Sequence, residues 1–192
     1  MEAFNEYLVN TDLTPLMKMF TEYGDCIYYT KGEYFLREGD KSFYIGFIQC
    51  GVFKYEKVDS SGVLHTVGFN LDNDFVCDYT SFLRCENSYT TIVAVCDCKV
   101  YRLSYKKLMT MLGEDMKAKE VWLKGCEGFA ITMYNRLLDF YCKTPMERYV
   151  ILLERFPDIV HYVPLKEIAS FIGVKAETLS RIRRKLEKNG RS

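Results

Sequence analysis

Residues 165–184 constrain the fold of this chain more than any other stretch. Leu165-Lys-Glu-Ile-Ala-Ser-Phe-Ile-Gly-Val-Lys-Ala-Glu-Thr-Leu-Ser-Arg-Ile-Arg-Arg184 places apolar residues at Ile168, Ile172, Val174, Leu179 and Ile182. Ala169 falls where two crossing helices would approach closely, and Gly173 falls four residues later, where the tight turn between them commonly uses a glycine. Small, turn and core positions inside one twenty-residue window predict a helix-turn-helix.

The charge distribution supports that reading although the formal net charge is zero. Residues 143–192 carry 11 Lys+Arg against 6 Asp+Glu, which leaves 15 against 20 in residues 1–142. A positive end of +5 balances a negative remainder of −5, so the neutral total conceals a basic surface where the helix pair lies.

Eight cysteines would suggest a disulfide framework in a secreted protein. The opening Met-Glu-Ala-Phe-Asn-Glu-Tyr lacks the basic region and apolar run of a signal peptide, and no stretch approaches the roughly 18 apolar residues of a membrane span. The expected compartment is the reducing cytoplasm, with free thiols and no membrane partner. Cys96 and Cys98 form a C-x-C, and no C-x-x-C pair of the zinc-ribbon kind occurs, so no metal site is expected.

Residues 2–22 are mildly helical in pattern up to Gly24. From Cys26 to Leu103, short runs of Tyr, Phe, Val and Ile are separated by turn signals such as Lys31-Gly-Glu33, Glu38-Gly-Asp40, Asp59-Ser-Ser-Gly62 and Leu71-Asp-Asn-Asp74. This spacing predicts an antiparallel barrel or sandwich, with Val52–Val58 and Val63–Phe69 as one hairpin. A long helix is then predicted over about 117–141. Leu123, Cys126, Ala130, Met133, Leu137 and Phe140 recur at spacings of 3, 4, 3, 4 and 3, a seam suited to pairing with a second copy or to packing on the chain's own barrel. The pairing reading is preferred, because a helix-turn-helix needs a two-fold mate to read a palindrome. Gly125 and Gly128 would each weaken that helix by about 1 kcal/mol relative to Ala. Thr144-Pro145 marks a break with Pro in the first turn of a further helix over 146–156.

In the second helix of the pair, Leu179, Ile182 and Leu186 point inward. Lys175, Ala176, Glu177, Ser180 and Arg181 are left as candidate base contacts. Glu accepts from cytosine N4, Arg pairs bidentately with guanine, and Glu177 and Arg181 rise from one face four residues apart. Thr178, Arg184, Lys185 and Lys188 suit phosphates, which position the protein without specifying sequence.

A β region, a long helix and a C-terminal helix-turn-helix together resemble the cyclic-AMP receptor protein/FNR family of bacterial transcription regulators over about residues 26–188. Ala176-Glu-Thr-Leu-Ser-Arg181 is similar to the recognition-helix core of the FNR branch, where Glu, Ser and Arg at this spacing touch bases. Lys31-Gly-Glu-Tyr-Phe-Leu-Arg-Glu-Gly-Asp40 looks like the family's opening turn, Gly51 matches the glycine after the next strand, and Thr91–Val100 looks like its closing strands. The resemblance implies an α+β fold in three parts: a cyclic-nucleotide-binding-like β-roll (jelly roll) over 1–116, a dimerisation helix over 117–142 and a reduced winged helix-turn-helix over 143–192. It also implies double-stranded DNA, a second copy of the chain and RNA polymerase as partners.

The chain departs from that family at the effector site. The Gly-Glu and Arg-Ser pairs with which cyclic-nucleotide binders hold ribose and phosphate fall here at Cys77-Asp78 and Ser88-Tyr89, beside Tyr79. Serine cannot replace a guanidinium opposite a half-buried phosphate, so this pocket is degenerate and cyclic AMP is not expected. Arg84 is the nearest substitute cation in the sequence. Only Cys26 lies in the first 49 residues, which does not support an iron–sulfur cluster of the FNR kind, and His65 and His161 are isolated as haem ligands. No cofactor is expected, and the effector is an unidentified small molecule or none. Cys96 and Cys98, placed by strand alternation on one face, read as neighbouring core positions with a redox pair as the alternative. Six residues follow Leu186, so any wing must be reduced, with Ile159–Val163 as its remnant. The competing reading is a small-molecule sensor whose helix-turn-helix contacts protein, and the cationic Arg181, Arg183, Arg184 and Lys185 oppose it. No catalytic constellation or phosphate loop suggests an enzyme.

Overall fold

The computed structural model describes residue 5 and residues 7–189. The opening, mildly helical in pattern over 2–22, carries two short helices, α1 (Tyr7–Asn10) and α2 (Thr14–Tyr23). Residues 1–4 and 6 of that expectation, and of the 1–116 unit, lie outside the described residues. Pro15 sits in the first turn of α2, where its missing N–H costs no helical bond, and Leu16, Met19 and Phe20 form the buried stripe.

The strands β1 (Asp25–Tyr29), β2 (Tyr34–Leu36), β3 (Tyr44–Cys50), β4 (Phe53–Val58), β5 (Leu64–Asn70) and β6 (Phe75–Val76) follow. A short helix, α3 (Tyr79–Arg84), precedes β7 (Thr91–Ala94) and β8 (Cys98–Ser104). Among the described residues these strands make two four-stranded antiparallel sheets, in the orders β1-β8-β3-β6 and β2-β7-β4-β5. Tyr29, Ile48 and Val100 from one sheet meet Phe53 and Ile92 from the other, so the antiparallel strands expected from the turn spacing close into the roll that the family resemblance implies. Phe53 and Ile92 are fully covered, and burial of side chains of this size contributes about 1.5–3 kcal/mol each.

The predicted hairpin is β4 with β5. Asp59 shapes its turn by accepting from the Ser61 amide at 2.8 Å, the Ser61 hydroxyl at 2.7 Å and the Val63 amide at 3.0 Å. His65 belongs to the same turn, its Nε2 lying 2.7 Å from Asp59 Oδ2. Cys98 opens β8, but Cys96 lies in the bend between β7 and β8, so strand alternation is not what pairs them. The bend brings them together, and the Cys98 thiol reaches the Cys96 carbonyl at 3.1 Å.

After α4 (Tyr105–Glu114) comes the long helix α5 (Met116–Cys142). Asp115 caps it by accepting from the amides of Lys117 and Ala118. The glycines that weaken α5 have a packing reason. A Cβ at Gly128 would stand 2.9 Å from the Tyr7 Cβ, so the glycine is what admits the α1 segment against the helix. Thr144 then forms a capping box with Glu147 and opens α6 (Pro145–Arg155), as the Thr-Pro break predicts.

The segment read as a wing remnant is helical: α7 (Ile159–Tyr162). Ile159 is fully buried and Val163 nearly so, so core contacts rather than strand pairing decide its conformation. The helix-turn-helix consists of α8 (Leu165–Phe171) and α9 (Ala176–Asn189), with Gly173 in the turn at φ +73°. This unit does not stand apart from the roll. Phe69 packs on Phe171 with ring centroids 5.1 Å apart, the Thr66 amide donates to Ser170 Oγ at 2.9 Å, and Lys54 pairs with Glu167 at 2.7 Å. Among the described residues no helix is long and apolar enough to cross a membrane.

Candidate nucleic-acid interface and effector cavity

The second helix of the pair is held from beneath. Leu179 is fully buried among Tyr149, Leu152, Ile168 and Ile172, and Ile182 and Leu186 pack against the same cluster. With that face committed, Glu177, Arg181, Arg184, Lys185, Glu187 and Lys188 stand exposed on α9 and Lys175 just before it, while Ala176, Thr178 and Ser180 are half-buried. Arg181 donates to Thr178 Oγ1 at 3.4 Å, one turn back, which turns its guanidinium along the exposed face. The arc therefore carries two carboxylates, Glu177 and Glu187, and five cations, all on the side away from the core. Arg183 lies on the flank, half-buried near Tyr149.

The turn is tied to the end of the long helix. Arg148 donates through Nε to the Ile172 carbonyl at 3.0 Å and through Nη1 to the carbonyls of Phe140 and Lys143 at 2.9 and 2.6 Å. Its guanidinium also lies 4.8 Å from the Phe140 ring centroid. A Cβ at Gly173 would meet that ring at 2.7 Å.

The six seam positions divide. Leu123, Ala130 and Leu137 are exposed, and Ile131, Tyr134, Leu138 and Tyr141 extend their apolar face along α5. Cys126 and Met133 are half-buried and line a cavity against the roll, and Phe140 is engaged at the Gly173 turn. The 3-4 spacing thus serves two faces, because three residues of rotation separate a solvent stripe from a stripe facing the chain's own sheet.

The predicted effector positions come together, but on each other. Asp78 caps α3, accepting from the Ser81 amide, and its Oδ2 also accepts from Ser88 Oγ at 2.9 Å, Tyr89 N at 2.8 Å and Thr90 Oγ1 at 3.1 Å. Burial pushes the Asp78 carboxyl up, yet the Ser88 hydroxyl and the Tyr89 and Ser81 bonds outweigh it and hold the group below the ordinary carboxylate range. Cys77 exchanges hydrogen bonds with the Tyr55 hydroxyl, and burial pushes its thiol well up. Tyr79 packs on Phe129 of α5 at 5.0 Å, and the Tyr89 ring is exposed. Arg84 is exposed at the last turn of α3 and is not among the cavity-lining residues.

That cavity measures about 370 Å³ and lies between the roll, the α1–α2 segment and α5. Sequence reasoning missed its far wall. Asn5 and Tyr7 both donate to Asp74, a fully covered carboxylate that Asn70 Nδ2 and the Phe75 amide also reach. Burial raises the pKa of Asp74 despite these bonds. Isolated polar residues in a loop carry no periodic signal, and only a short Asn-x-x-x-Asp spacing over 70–74 hinted at them.

Residues 26–115 match the sequence profile of the cyclic nucleotide-binding domain family. Among solved structures, FixK2 from Bradyrhizobium japonicum is 22% identical with a TM-score of 0.72, covering 87% of this chain and 86% of that one. The c-di-GMP-responsive global regulator CLP of Xanthomonas campestris is 14% identical, with a TM-score of 0.62 and 93% of each chain covered. A cAMP-binding regulatory protein, so described, from Silicibacter pomeroyi DSS-3 is 17% identical, with a TM-score of 0.67 over 94% of this chain and 83% of that one. No curated protein sequence matches the chain.

Proposed function

We propose that the chain is a homodimeric, sequence-specific DNA-binding transcription regulator of the Crp/Fnr type, a reading supported by the match of residues 26–115 to the cyclic nucleotide-binding domain family and by the fold shared with FixK2 and CLP. The exposed arc of α9 carries this reading. Its apolar face is spent on Leu179, Ile182 and Leu186, and what remains is mainly cationic, with Glu177 and Glu187 among the cations. Lys175, Ala176, Glu177, Ser180 and Arg181 face base edges in this reading, and Thr178, Arg184, Lys185 and Lys188 hold phosphates.

A palindrome follows from two-fold pairing along the exposed stripe of α5, with half-sites about 34 Å apart. In this reading residues 1–116 sense or support, 117–142 dimerise and 143–192 read DNA, with RNA polymerase as the further partner. Cyclic AMP does not control the protein in this reading, because Asp78 is already bonded to Ser88, an uncharged side chain at the position where the family's arginine would meet the phosphate.

Selection of bound sequences from a random duplex library, with and without cyclic AMP, tests the proposal. Enrichment of one palindrome in both conditions is expected. Enrichment only with cyclic AMP would overturn the effector reading, and no enrichment in either would overturn the DNA reading for the free protein.

A further inference from the structure

The cavity between the roll and α5 has the dimensions of a small-molecule site, which commonly runs from about 300 to 1,000 Å³ with apolar walls and a few placed polar groups. Its walls are mainly apolar, built from residues such as Leu13, Ile45, Phe75, Trp122, Phe129 and Met133. Most polar groups around it are engaged: Tyr55 with Cys77, Tyr7 with Asp74, and Asp78 with its own loop. Asn5 is the exception. Its Nδ2 donates to the Asp74 carboxylate and lies 3.4 Å from the Phe69 carbonyl. Both partners are acceptors, which fixes the orientation of the amide. Oδ1 is left buried in the cavity wall without a hydrogen-bond partner. A buried acceptor without a donor is costly, and a ligand N–H or O–H relieves that cost.

The electrostatics point the same way. Asn5 donates to the buried Asp74, and Asp78 is itself among the lining residues. Arg136, the cation among the lining residues, turns its guanidinium over the Phe171 ring at 5.6 Å, toward the helix-turn-helix. An anion in the cavity would face the Asp78 carboxylate and lose its hydration against mainly apolar walls.

We propose that this cavity binds an uncharged, mainly aromatic or alicyclic small molecule that donates one hydrogen bond to Asn5 Oδ1. This deepens the reading of the chain as a regulator by naming its effector class. Binding is measured on the full chain without DNA, so either proposal can fail alone.

The probe is N-phenyl-1-naphthylamine, an uncharged aromatic amine with a single N–H, followed by its fluorescence. Two relatives of the same ring system accompany it: the 8-sulfonate, which adds an anion, and the N-methyl derivative, which lacks the donor. Saturation at one amine per chain is expected, with the sulfonate and the N-methyl compound each at least tenfold weaker. Cys126→Phe, which fills the cavity, should abolish binding while the far-UV spectrum is retained. Equal binding of the N-methyl compound overturns the hydrogen bond, and equal binding of the sulfonate overturns the charge preference. Absence of amine binding, displacement by micromolar cyclic AMP, or binding lost in Leu137→Ser but kept in Cys126→Phe overturns the site. The two ligand-side comparisons decide the issue even where a variant fails to fold.

Discussion

Ser88 donates its hydroxyl to Asp78 at 2.9 Å, so the two positions that would hold the phosphate and ribose of a cyclic nucleotide hold each other. The amides of Tyr89 and Thr90 reach the same carboxylate oxygen, and the Ser81 amide takes the other. The loop between α3 and β7 is thereby closed on an N-cap, with its acceptor capacity used internally. A ribose hydroxyl would have to compete with four loop donors for that carboxylate oxygen, and Ser88 offers the phosphate no charge.

Millimolar cyclic AMP should therefore leave the thermal midpoint unchanged. A nucleotide present at a hundred times its Kd would add about 2.7 kcal/mol, which for a chain of this size is a rise of roughly 5–10 °C. A shift of that size in a melting curve would show that the loop opens for the nucleotide.

Ser88→Ala should destabilise the chain by about 1 kcal/mol at neutral pH, and the loss should shrink in acid. The folded Asp78 carboxyl lies below its unfolded value of about 3.9, so its contribution is present above that value and disappears as pH falls through the folded pKa. Without the Ser88 hydroxyl the folded value moves up toward the unfolded one. Denaturant melts of the two proteins should separate most at pH 7 and converge below about pH 4. A constant difference across this range would assign the effect to packing.

Arg181→Ala should cost about 1–3 kcal/mol on the selected palindrome and relax preference at one base pair. Lys185→Ala should weaken selected and random duplexes alike and reduce the salt slope by about 1. Binding titrations at several salt concentrations separate the two roles. Equal losses on both duplexes for Arg181→Ala would assign that side chain to the backbone.

Gly173→Ala should destabilise the chain by more than about 1 kcal/mol, since φ +73° disfavours a side chain and the new methyl would meet Phe140. Phe140→Ala in the same chain should relieve the contact but not the backbone cost. A double-mutant cycle read by denaturant unfolding then gives a nonzero coupling between these residues, and additive effects would show that the ring moves aside freely.

Leu137→Glu tests the exposed stripe of α5. Leu137 is 53% exposed, so the change should leave the fold of one chain intact while burying a charge between two. Sedimentation should show a lighter species, and affinity for the palindrome should fall toward that for a single half-site. An unchanged sedimentation profile would move the two-fold contact elsewhere.

Local sequence determined the elements and their order. Hydrophobic period, turn residues and caps act over a few positions, so the β4–β5 hairpin, the Thr144-Pro145 break and the Gly173 turn were all legible. The inward face of α9 was legible for the same reason, since one helical period separates Leu179 from Ile182 and Leu186. Spacing alone could not say which partner a face meets. Cys126 and Met133 share a heptad with Leu123 and Leu137, yet only the packing of α5 on the roll sends the first pair to the cavity and leaves the second pair exposed. Ile159–Tyr162 became helical because burial of Ile159 outweighed a β-branched local preference. The Asp74 cluster, the closed Asp78 loop and the docking of α8 on β4 and β5 join residues from 4 to 113 positions apart. Such contacts depend on where the chain returns in space, and tertiary structure alone decided them.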